Sequence, residues 1–277
     1  MDKKSVGIVG FGNLGKHLYE FINESPNLRV AFVWNRTASV FDSSLKVPKD
    51  LILHHLEDIV LRQPDIIVEV AHPNITHKYG ELFLKNADTM LGSPTALADP
   101  ILKAKLLAAC KMHGLYIPSG AFWGGEDIRK MADSNTLKGL TVTMTKHPSS
   151  FKLNGHLKDL NDKVSDVAVV LYDGPVRKLC PLAPNNVNTM AAAAVAAHNL
   201  GFDKVRGRLI ADPGLLDWHE VRVDVIGPLQ EDGNHFSVET IRRNPAKPGA
   251  VTGSATYASF QSSLNRVGGC GPGFHLC

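Results

Sequence analysis

The sequence predicts an α/β fold in which an N-terminal, doubly wound parallel sheet is followed by an α+β domain with a largely antiparallel sheet. A glycine-rich loop at residues 10–15 lies between an apolar strand and a helical stretch. Apolar strands then alternate with helical stretches over residues 51–117, as in parallel sheets. After about residue 135, segments such as 140–146 and 221–225 alternate with period two, which is typical of antiparallel strands with one solvated face.

The composition of the chain excludes several classes of protein. Of its 277 residues, 44% are apolar and 21% charged, values near globular averages that exclude disorder and fibrous repeats. A formal net charge of +3 is too small to indicate a nucleic-acid or membrane partner. No apolar run reaches about 18 residues, no secretory segment precedes the first strand, and the four cysteines lack metal-ligand spacing. We therefore expect a cytoplasmic enzyme with free thiols and no metal site.

The glycine-rich loop follows the apolar strand 5–9 directly and opens the helical stretch that begins at residue 16. In this arrangement Gly10 permits a tight turn and Gly12 lets the backbone approach a pyrophosphate. Gly15 lets the helix pack on the strand, while the helix N-terminus offers N–H groups to the anion. The order of strand, glycines and helix predicts a Rossmann dinucleotide-binding domain. The alternative is an ordinary tight turn between a strand and a helix.

The end of the second strand bears on the choice of dinucleotide. Residues 28–34 read as a strand, and Asn35 and Arg36 follow it. An acidic residue, which would hold a ribose 2′-hydroxyl, is absent there, and the guanidinium of Arg36 could pair with a 2′-phosphate. The alternative is a surface arginine that follows a strand. The sequence favours NADP without excluding NAD.

The change of pattern sets the expected domain boundaries. Residues 1–135 are predicted to form the Rossmann domain, completed by a C-terminal helix over 255–267. Residues 136–254 are predicted to form the α+β domain for substrate binding and dimerisation, and 268–277 a loose tail. Within the second domain, an alanine-rich helix is predicted over 188–200, closed by a glycine at its C-terminal cap.

Several short motifs lie in both halves of the chain. They are residues 119–125, 143–148, 183–188, 201–204, 208–213 and 219–221. Together with the alanine-rich helix, these motifs resemble the L-aspartate dehydrogenase family. The resemblance covers most of residues 5–250 and is most specific over 183–221.

The resemblance implies a function and a set of site residues. The implied reaction is oxidative deamination of L-aspartate with NAD or NADP, giving iminoaspartate and then oxaloacetate and ammonia. It also implies a homodimer. The family's active-site histidine falls on His219, and its cofactor contacts fall on Ala121 and Asn188.

His219 fits this chemistry for a reason of its own. Removal of a hydride from Cα needs the substrate amine in its neutral form, so a nearby base must take a proton. Histidine suits this step because its unperturbed pKa lies near 6.5. His219 is in phase with Val221, Val223 and Val225, which predicts that it faces the interior of its domain. The alternative is a histidine that only fills the core.

Other polar residues of the second half remain open candidates. Asn186 or Asn188 is expected to be the N-cap of the alanine-rich helix, a position that is compatible with a ligand contact. A dicarboxylate substrate also needs cationic partners. The candidates, among which the sequence does not choose, are Lys146, His147, Arg206, Arg208 and Arg222.

Two alternative functions stay open. Residues 68–74 and 92–97 are similar to sugar and inositol oxidoreductases of the same fold, whose catalytic Glu-Lys-Pro would fall on 92–94. Ser93 stands where the mechanism of those enzymes needs a lysine, so this alternative function lacks its acid–base group. The second alternative is a sensor that binds a dinucleotide without turnover.

Overall fold

The computed structural model describes residues 2–42 and 45–277. The strands, in chain order, are β1 (Lys4–Val9), β2 (Leu28–Trp34), β3 (Ile66–Glu69), β4 (Asp88–Leu91), β5 (Gly114–Ile117), β6 (Gly139–Lys146), β7 (Val169–Pro175), β8 (Arg206–Ala211), β9 (Trp218–Leu229), β10 (His235–Pro245) and β11 (Gly273–Leu276). The helices are α1 (Asn13–Glu24), α2 (Ile59–Arg62), α3 (Pro73–Asn86), α4 (Pro100–Ala109), α5 (Gly125–Asp133), α6 (Gly155–Asn161), α7 (Val176–Leu179), α8 (Asn188–Ala196), α9 (Gly201–Lys204) and α10 (Ser254–Arg266).

The chain divides into two compact units. The first contains residues up to Pro118 together with Phe260–His275, and the second contains Ser119–Ser259. The change of sequence pattern predicts this boundary between residues 135 and 136. The structure instead divides the chain at the end of the parallel strands, because α5 packs on α8 of the second unit.

The first unit is built on a sheet of order β11-β5-β4-β3-β1-β2. β1 pairs in parallel with β2 on one side and with β3 on the other, and β3, β4 and β5 continue the parallel arrangement. Side chains of β1 alternate between two cores, with Val6 and Ile8 in one and Val9 in the other. Phe260 and Leu264 of α10 pack into the first of these cores. The predicted doubly wound parallel sheet is thereby confirmed.

The second unit is built on a sheet of order β10-β9-β6-β8-β7. β9 is antiparallel to both β6 and β10, and β7 is antiparallel to β8, whereas β6 and β8 are parallel. The prediction of a largely antiparallel sheet is confirmed. Buried and less buried residues alternate along β9, as the period-two pattern predicts.

Two local predictions differ from the structure. The alanine-rich helix ends at Ala196, four residues earlier than expected, and Gly201 begins the short helix α9 instead of capping α8. Residues 268–277 do not form a loose tail, because β11 adds to the edge of the first sheet beside β5. There the Cys277 N–H donates to the Ile117 carbonyl at 3.0 Å, and the His275 ring lies 5.0 Å from the Tyr116 ring.

The cysteines are free thiols, as their spacing predicts, and only Cys270 of the four is exposed. Across residues 2–42 and 45–277, no helix is both long enough and apolar enough to cross a membrane. In the same part of the chain, no group of three or more His, Cys, Asp or Glu side chains is placed to hold a metal ion.

Candidate functional site

The glycine loop between β1 and α1 needs two of its glycines for its own packing. Gly10 has a φ of +109°, and a Cβ at this position would lie 2.8 Å from the backbone of Val70 and Ala71. A Cβ at Gly15 would overlap the carbonyl oxygen of Gly10. These two glycines therefore allow α1 and the end of β3 to approach the loop closely.

Gly12 differs from the other two glycines. Its φ of −75° is ordinary, and a Cβ at this position would meet no atom within 4 Å. It is also the N-cap of α1 and offers no side chain to the first amides of that helix. The open space over Gly12 and the uncapped helix start fit a phosphate group that approaches the backbone.

A cavity of about 220 Å³ lies beside this loop. It is lined by Gly10, Gly12, Trp34, Asn35, Arg36, Thr37, Val70, Ala71, His72, Asn74 and Ile75. The Asn35 side chain holds the loop, because its Oδ1 accepts from the Phe11 N–H at 2.9 Å and its Nδ2 donates to the Thr37 carbonyl at 3.0 Å. Arg36 is exposed, and no acidic residue is among those that line the cavity.

Glu69, which the sequence analysis does not single out, joins the ends of two strands near this cavity. Its carboxylate accepts from the N–H groups of Ala71 at 2.8 Å and His72 at 2.9 Å, and from Ser93 N–H at 3.0 Å and Oγ at 3.1 Å. Burial raises the pKa of Glu69 to about 7. The sequence signal that could have identified Glu69 is a single glutamate at the end of an apolar strand. Ser93, where the sugar and inositol oxidoreductases need a lysine, is thereby part of a structural hydrogen-bond cluster.

In the second unit, three buried polar residues lie in a row across neighbouring strands, and we call them the Lys146–His219–Asn244 row. β6 and β9 pair up to Thr145 opposite Glu220, so Lys146 and His219 come next on the two strands. Asn244 of β10 pairs directly with His219. Lys146 and His219 are each 4% exposed and Asn244 is 2% exposed. Residues opposite each other in a sheet share one face, so the three side chains lie on the same side.

His219 is buried as predicted. Burial and the nearby charge of Lys146 lower the pKa of His219 to about 4, so the ring is neutral at pH 7. A hydrogen bond to the backbone of Ala250 acts in the opposite direction. The Nε2 atom is buried and has no hydrogen-bond partner among residues 2–42 and 45–277. A buried nitrogen without a partner costs free energy unless a ligand supplies the missing hydrogen bond.

Lys146 is the buried member of the five candidate cations. Its Nζ donates to the Val251 carbonyl at 2.9 Å and lies 5.9 Å from the centre of the Phe151 ring. Burial lowers the pKa of Lys146 to about 7. In the part of the chain that the structure describes, Lys146 forms no ion pair with an acidic side chain.

The other four candidates are engaged elsewhere. Arg206 and Arg208 both bind the carboxylate of Asp173, at 2.5 and 2.7 Å. Arg222 pairs with Asp224 and Glu239 at 2.8 and 3.0 Å. The Nδ1 atom of His147 lies 2.8 Å from Ser149 Oγ. The three arginines therefore have carboxylate partners on the protein itself.

The expected N-cap role of the two asparagines is wrong. The residue at the N-cap of α8 is Val187, with no side-chain cap. Asn186 precedes the cap, and its Oδ1 accepts from the Lys152 N–H at 2.8 Å, joining two loops. Asn188 is the first residue of α8, and its Oδ1 is buried without a partner.

Ala121 lies in the loop between β5 and α5. The preceding Gly120 has a φ of +57°, and its carbonyl accepts from Nη1 of Arg242 at 3.0 Å. Arg242 is half-buried on β10, two residues before Asn244. Sequence reasoning missed both Arg242 and Asn244, because the pattern along β10 does not show which strand it pairs with.

A glycine loop where the order of a parallel sheet switches, followed by a mixed sheet in a second unit, defines the class of pyridine nucleotide-dependent dehydrogenases. Residues 10–118 match the family model described as homoserine dehydrogenase, NAD binding domain, and residues 127–263 match aspartate dehydrogenase, C-terminal. An aspartate dehydrogenase domain-containing protein of Xenopus tropicalis is 52% identical over 98% of this chain and 97% of its own length. The chain belongs to the aspartate dehydrogenase family.

The chain is also similar to more distant proteins named aspartate dehydrogenase. The L-aspartate dehydrogenase of Serratia proteamaculans (strain 568) is 28% identical over 92% of this chain and 96% of its own length. The crystal structure of aspartate dehydrogenase from Thermotoga maritima matches with a TM-score of 0.67 at 21% identity, covering 95% of this chain and 94% of that one. This last likeness is one of fold.

The electrostatic interaction between Lys146 and His219 predicts a measurable coupling of their charges. Replacement Lys146→Met removes a positive charge that lowers the pKa of His219, so this pKa should rise from about 4 towards its ordinary value. The measurement is a pH titration of the imidazole signals by nuclear magnetic resonance. Lys138→Met, which removes an exposed lysine just before β6, is the matched control and should leave the pKa of His219 unchanged. An equal pKa in both variants would contradict the coupling.

Proposed function

We propose that this protein is an NAD(P)-dependent L-aspartate dehydrogenase, which oxidises the Cα–N bond of L-aspartate to iminoaspartate and then releases oxaloacetate and ammonia. Membership of the aspartate dehydrogenase family supports this, as does a relative at 28% identity that is named L-aspartate dehydrogenase. The observation that carries the proposal is the neutral, buried ring of His219, whose Nε2 has no partner.

His219 would act first on the substrate nitrogen. The ammonium of an amino acid must lose a proton before its lone pair can form the C=N bond. A neutral imidazole with a free Nε2 can accept that proton. Bound NAD or NADP would then accept the hydride from Cα.

His219 would act a second time on water. Hydrolysis of the imine requires that water add to the former Cα, that one proton leave the water, and that the nitrogen depart as ammonia. Once the first proton has passed to solvent, the same Nε2 can take a proton from the water and return it to the departing nitrogen, and the second proton of the water leaves as the carbonyl forms. One histidine therefore serves both halves of the reaction.

The first group of proposed dinucleotide contacts lies in the glycine loop and at the end of β2. Gly10, Gly12 and Gly15 would hold the pyrophosphate, with Asn35 and Arg36 at the adenosine end. Support comes from the open space over Gly12 and from the absence of acidic residues in the lining of the adjoining cavity. The exposed guanidinium of Arg36 favours NADP, since it can pair with a 2′-phosphate, and NAD is the alternative.

Ala121 and Asn188 are the remaining proposed cofactor contacts. The hydrogen bond from Arg242 to Gly120 fixes the backbone next to Ala121. The buried, unpartnered Oδ1 of Asn188 can accept from an amide such as that of nicotinamide.

We also infer that the protein acts as a homodimer in the cytoplasm. β10 is an edge strand of the second sheet, and it exposes the apolar side chains of Phe236, Val238 and Ile241. An unpaired edge strand with apolar side chains favours association with a second copy. The free thiols favour a reducing compartment.

Two variants should separate the roles of the phosphate loop and Arg36. Gly12→Ala places a methyl group in the open space over the loop without a clash inside the protein, so it should weaken binding of NAD and NADP alike, by about tenfold or more.

Arg36→Ala should weaken the binding of NADP alone, by about 10- to 100-fold, because it removes charge-assisted hydrogen bonds. Calorimetric titration with both dinucleotides measures this, and each variant is the control for the other. Normal binding by Gly12→Ala would exclude the loop from the site, and equal loss of NAD and NADP in Arg36→Ala would exclude the 2′-phosphate contact.

The proposed activity is tested by the absorbance of reduced nicotinamide when L-aspartate is mixed with NADP or NAD. The wild-type protein should turn over aspartate. His219→Ala should lower kcat by about 100-fold or more while dinucleotide binding survives. His156→Ala, at an exposed histidine, is the control and should keep full activity. Tight dinucleotide binding without aspartate turnover would instead favour a sensor, and turnover of a polyol would favour the sugar and inositol oxidoreductases.

A further inference from the structure

We propose that the Lys146–His219–Asn244 row is a head-group site for an α-amino acid. In this site Lys146 binds a carboxylate, and Asn244 Oδ1 accepts a hydrogen bond from the amine whose proton His219 takes. The inference rests on the proposed function, and it assigns the residues that recognise the substrate.

The first support is the placement of the three residues. They occupy three neighbouring strands, β6, β9 and β10, at one end of the sheet and on one face of it. Adjacent strands lie about 4.8 Å apart, so the row is of the size of an amino-acid head group rather than of a large ligand. Each side chain is fixed at its base by a regular strand, which orients a ligand better than a loop does.

The second support is the unmet hydrogen-bonding capacity of the row. His219 Nε2 and Asn244 Oδ1 are both buried, and neither has a partner in the part of the chain that the structure describes. Lys146 carries three N–H donors, of which one is used by the Val251 carbonyl. Several unmet polar atoms at one buried place indicate a ligand that is bound there.

The third support is the order of donors and acceptors. Read across the sheet, the row offers a cationic donor at Lys146, then an acceptor at His219, then an acceptor at Asn244. An α-amino acid presents a carboxylate, which needs donors, beside a nitrogen that carries N–H groups, which needs acceptors. The two patterns are complementary, whereas a dicarboxylate without an amine would leave Asn244 Oδ1 unsatisfied.

Lys146 also differs from the three arginines that the sequence offers as candidate cations. Arg206, Arg208 and Arg222 are exposed enough to reach carboxylate partners on the protein itself, whereas the buried Lys146 forms no ion pair among the described residues. A substrate carboxylate would therefore displace no existing ion pair at Lys146. The charge of Lys146 is therefore available for pairing with a ligand carboxylate.

The test uses two probes, L-aspartate and succinate, which share two carboxylates and differ by the amine. Each is titrated by calorimetry into the full chain with saturating NADPH, or NADH if that binds better, so that no hydride acceptor is present and nothing turns over. Lys146→Met should weaken both probes by about tenfold or more, because it removes the cation. Asn244→Leu should weaken L-aspartate by about threefold to tenfold and leave succinate unchanged, because succinate has no amine.

Matched variants control for folding and for charge. Lys138→Met removes an exposed lysine and should leave both affinities unchanged. Lys146→Met should melt no lower than the wild-type protein, since a buried ammonium is replaced by a side chain of similar length. Asn244→Ala is a second variant at its position if Asn244→Leu melts lower.

The outcomes separate the inference from the proposed function. Equal weakening of both probes by the Asn244 variants, or unchanged affinities in Lys146→Met, would overturn the inference even if the protein oxidises aspartate. The expected pattern in a protein that does not oxidise aspartate would uphold the head-group site and overturn the proposed function. Binding of neither probe by the wild-type protein would overturn both.

Discussion

The chemistry proposed for this protein depends on the charge interaction between the buried ammonium of Lys146 and the neighbouring His219. Among the described residues, Lys146 has no acidic partner. Transfer of an ammonium from water to a protein interior costs several kcal/mol, and a single hydrogen bond to the Val251 carbonyl offsets only part of that cost. This cost is reflected in the pKa values of both groups, because burial lowers the pKa of Lys146 to about 7, and burial together with the charge of Lys146 lowers the pKa of His219 to about 4. Replacement of a buried charge by a hydrocarbon of similar volume is often neutral or stabilising, so we attribute the lysine at residue 146 to the proposed binding of a carboxylate.

The same interaction links substrate binding to the strength of the base. A carboxylate bound to Lys146 compensates its positive charge and so removes one of the causes that lower the pKa of His219. The imidazole then becomes a stronger base when substrate is present. By linkage, protonation of His219 in turn tightens the hold on the carboxylate. In the proposed mechanism, His219 is neutral before the substrate binds, and its affinity for a proton rises when the substrate carboxylate binds Lys146.

The parts of this arrangement that depend on local sequence were predictable. The glycine loop was predictable because glycines at this spacing are typical of a turn where backbone segments approach closely. The burial of His219 was predictable because residues along β9 alternate with a period of two. The partners of His219 were not predictable, because Lys146 and Asn244 reach it through strand pairing that brings together distant parts of the chain. A register shifted by one residue would turn these side chains to the opposite face, and nothing in the sequence of β10 fixes that register. The expected N-cap at Asn186 or Asn188 failed for a similar reason, since Asn186 binds a distant loop instead.

The most direct measurement is a crystal structure of the complex with L-aspartate and reduced dinucleotide. A carboxylate oxygen of the substrate should lie about 2.7–3.2 Å from Lys146 Nζ, and the substrate nitrogen should lie within hydrogen-bond distance of His219 Nε2. Asn244 Oδ1 should face the same nitrogen. Aspartate bound with both carboxylates on other cations, and with no substrate atom within hydrogen-bond distance of Lys146 Nζ or His219 Nε2, would contradict the central role of the buried lysine.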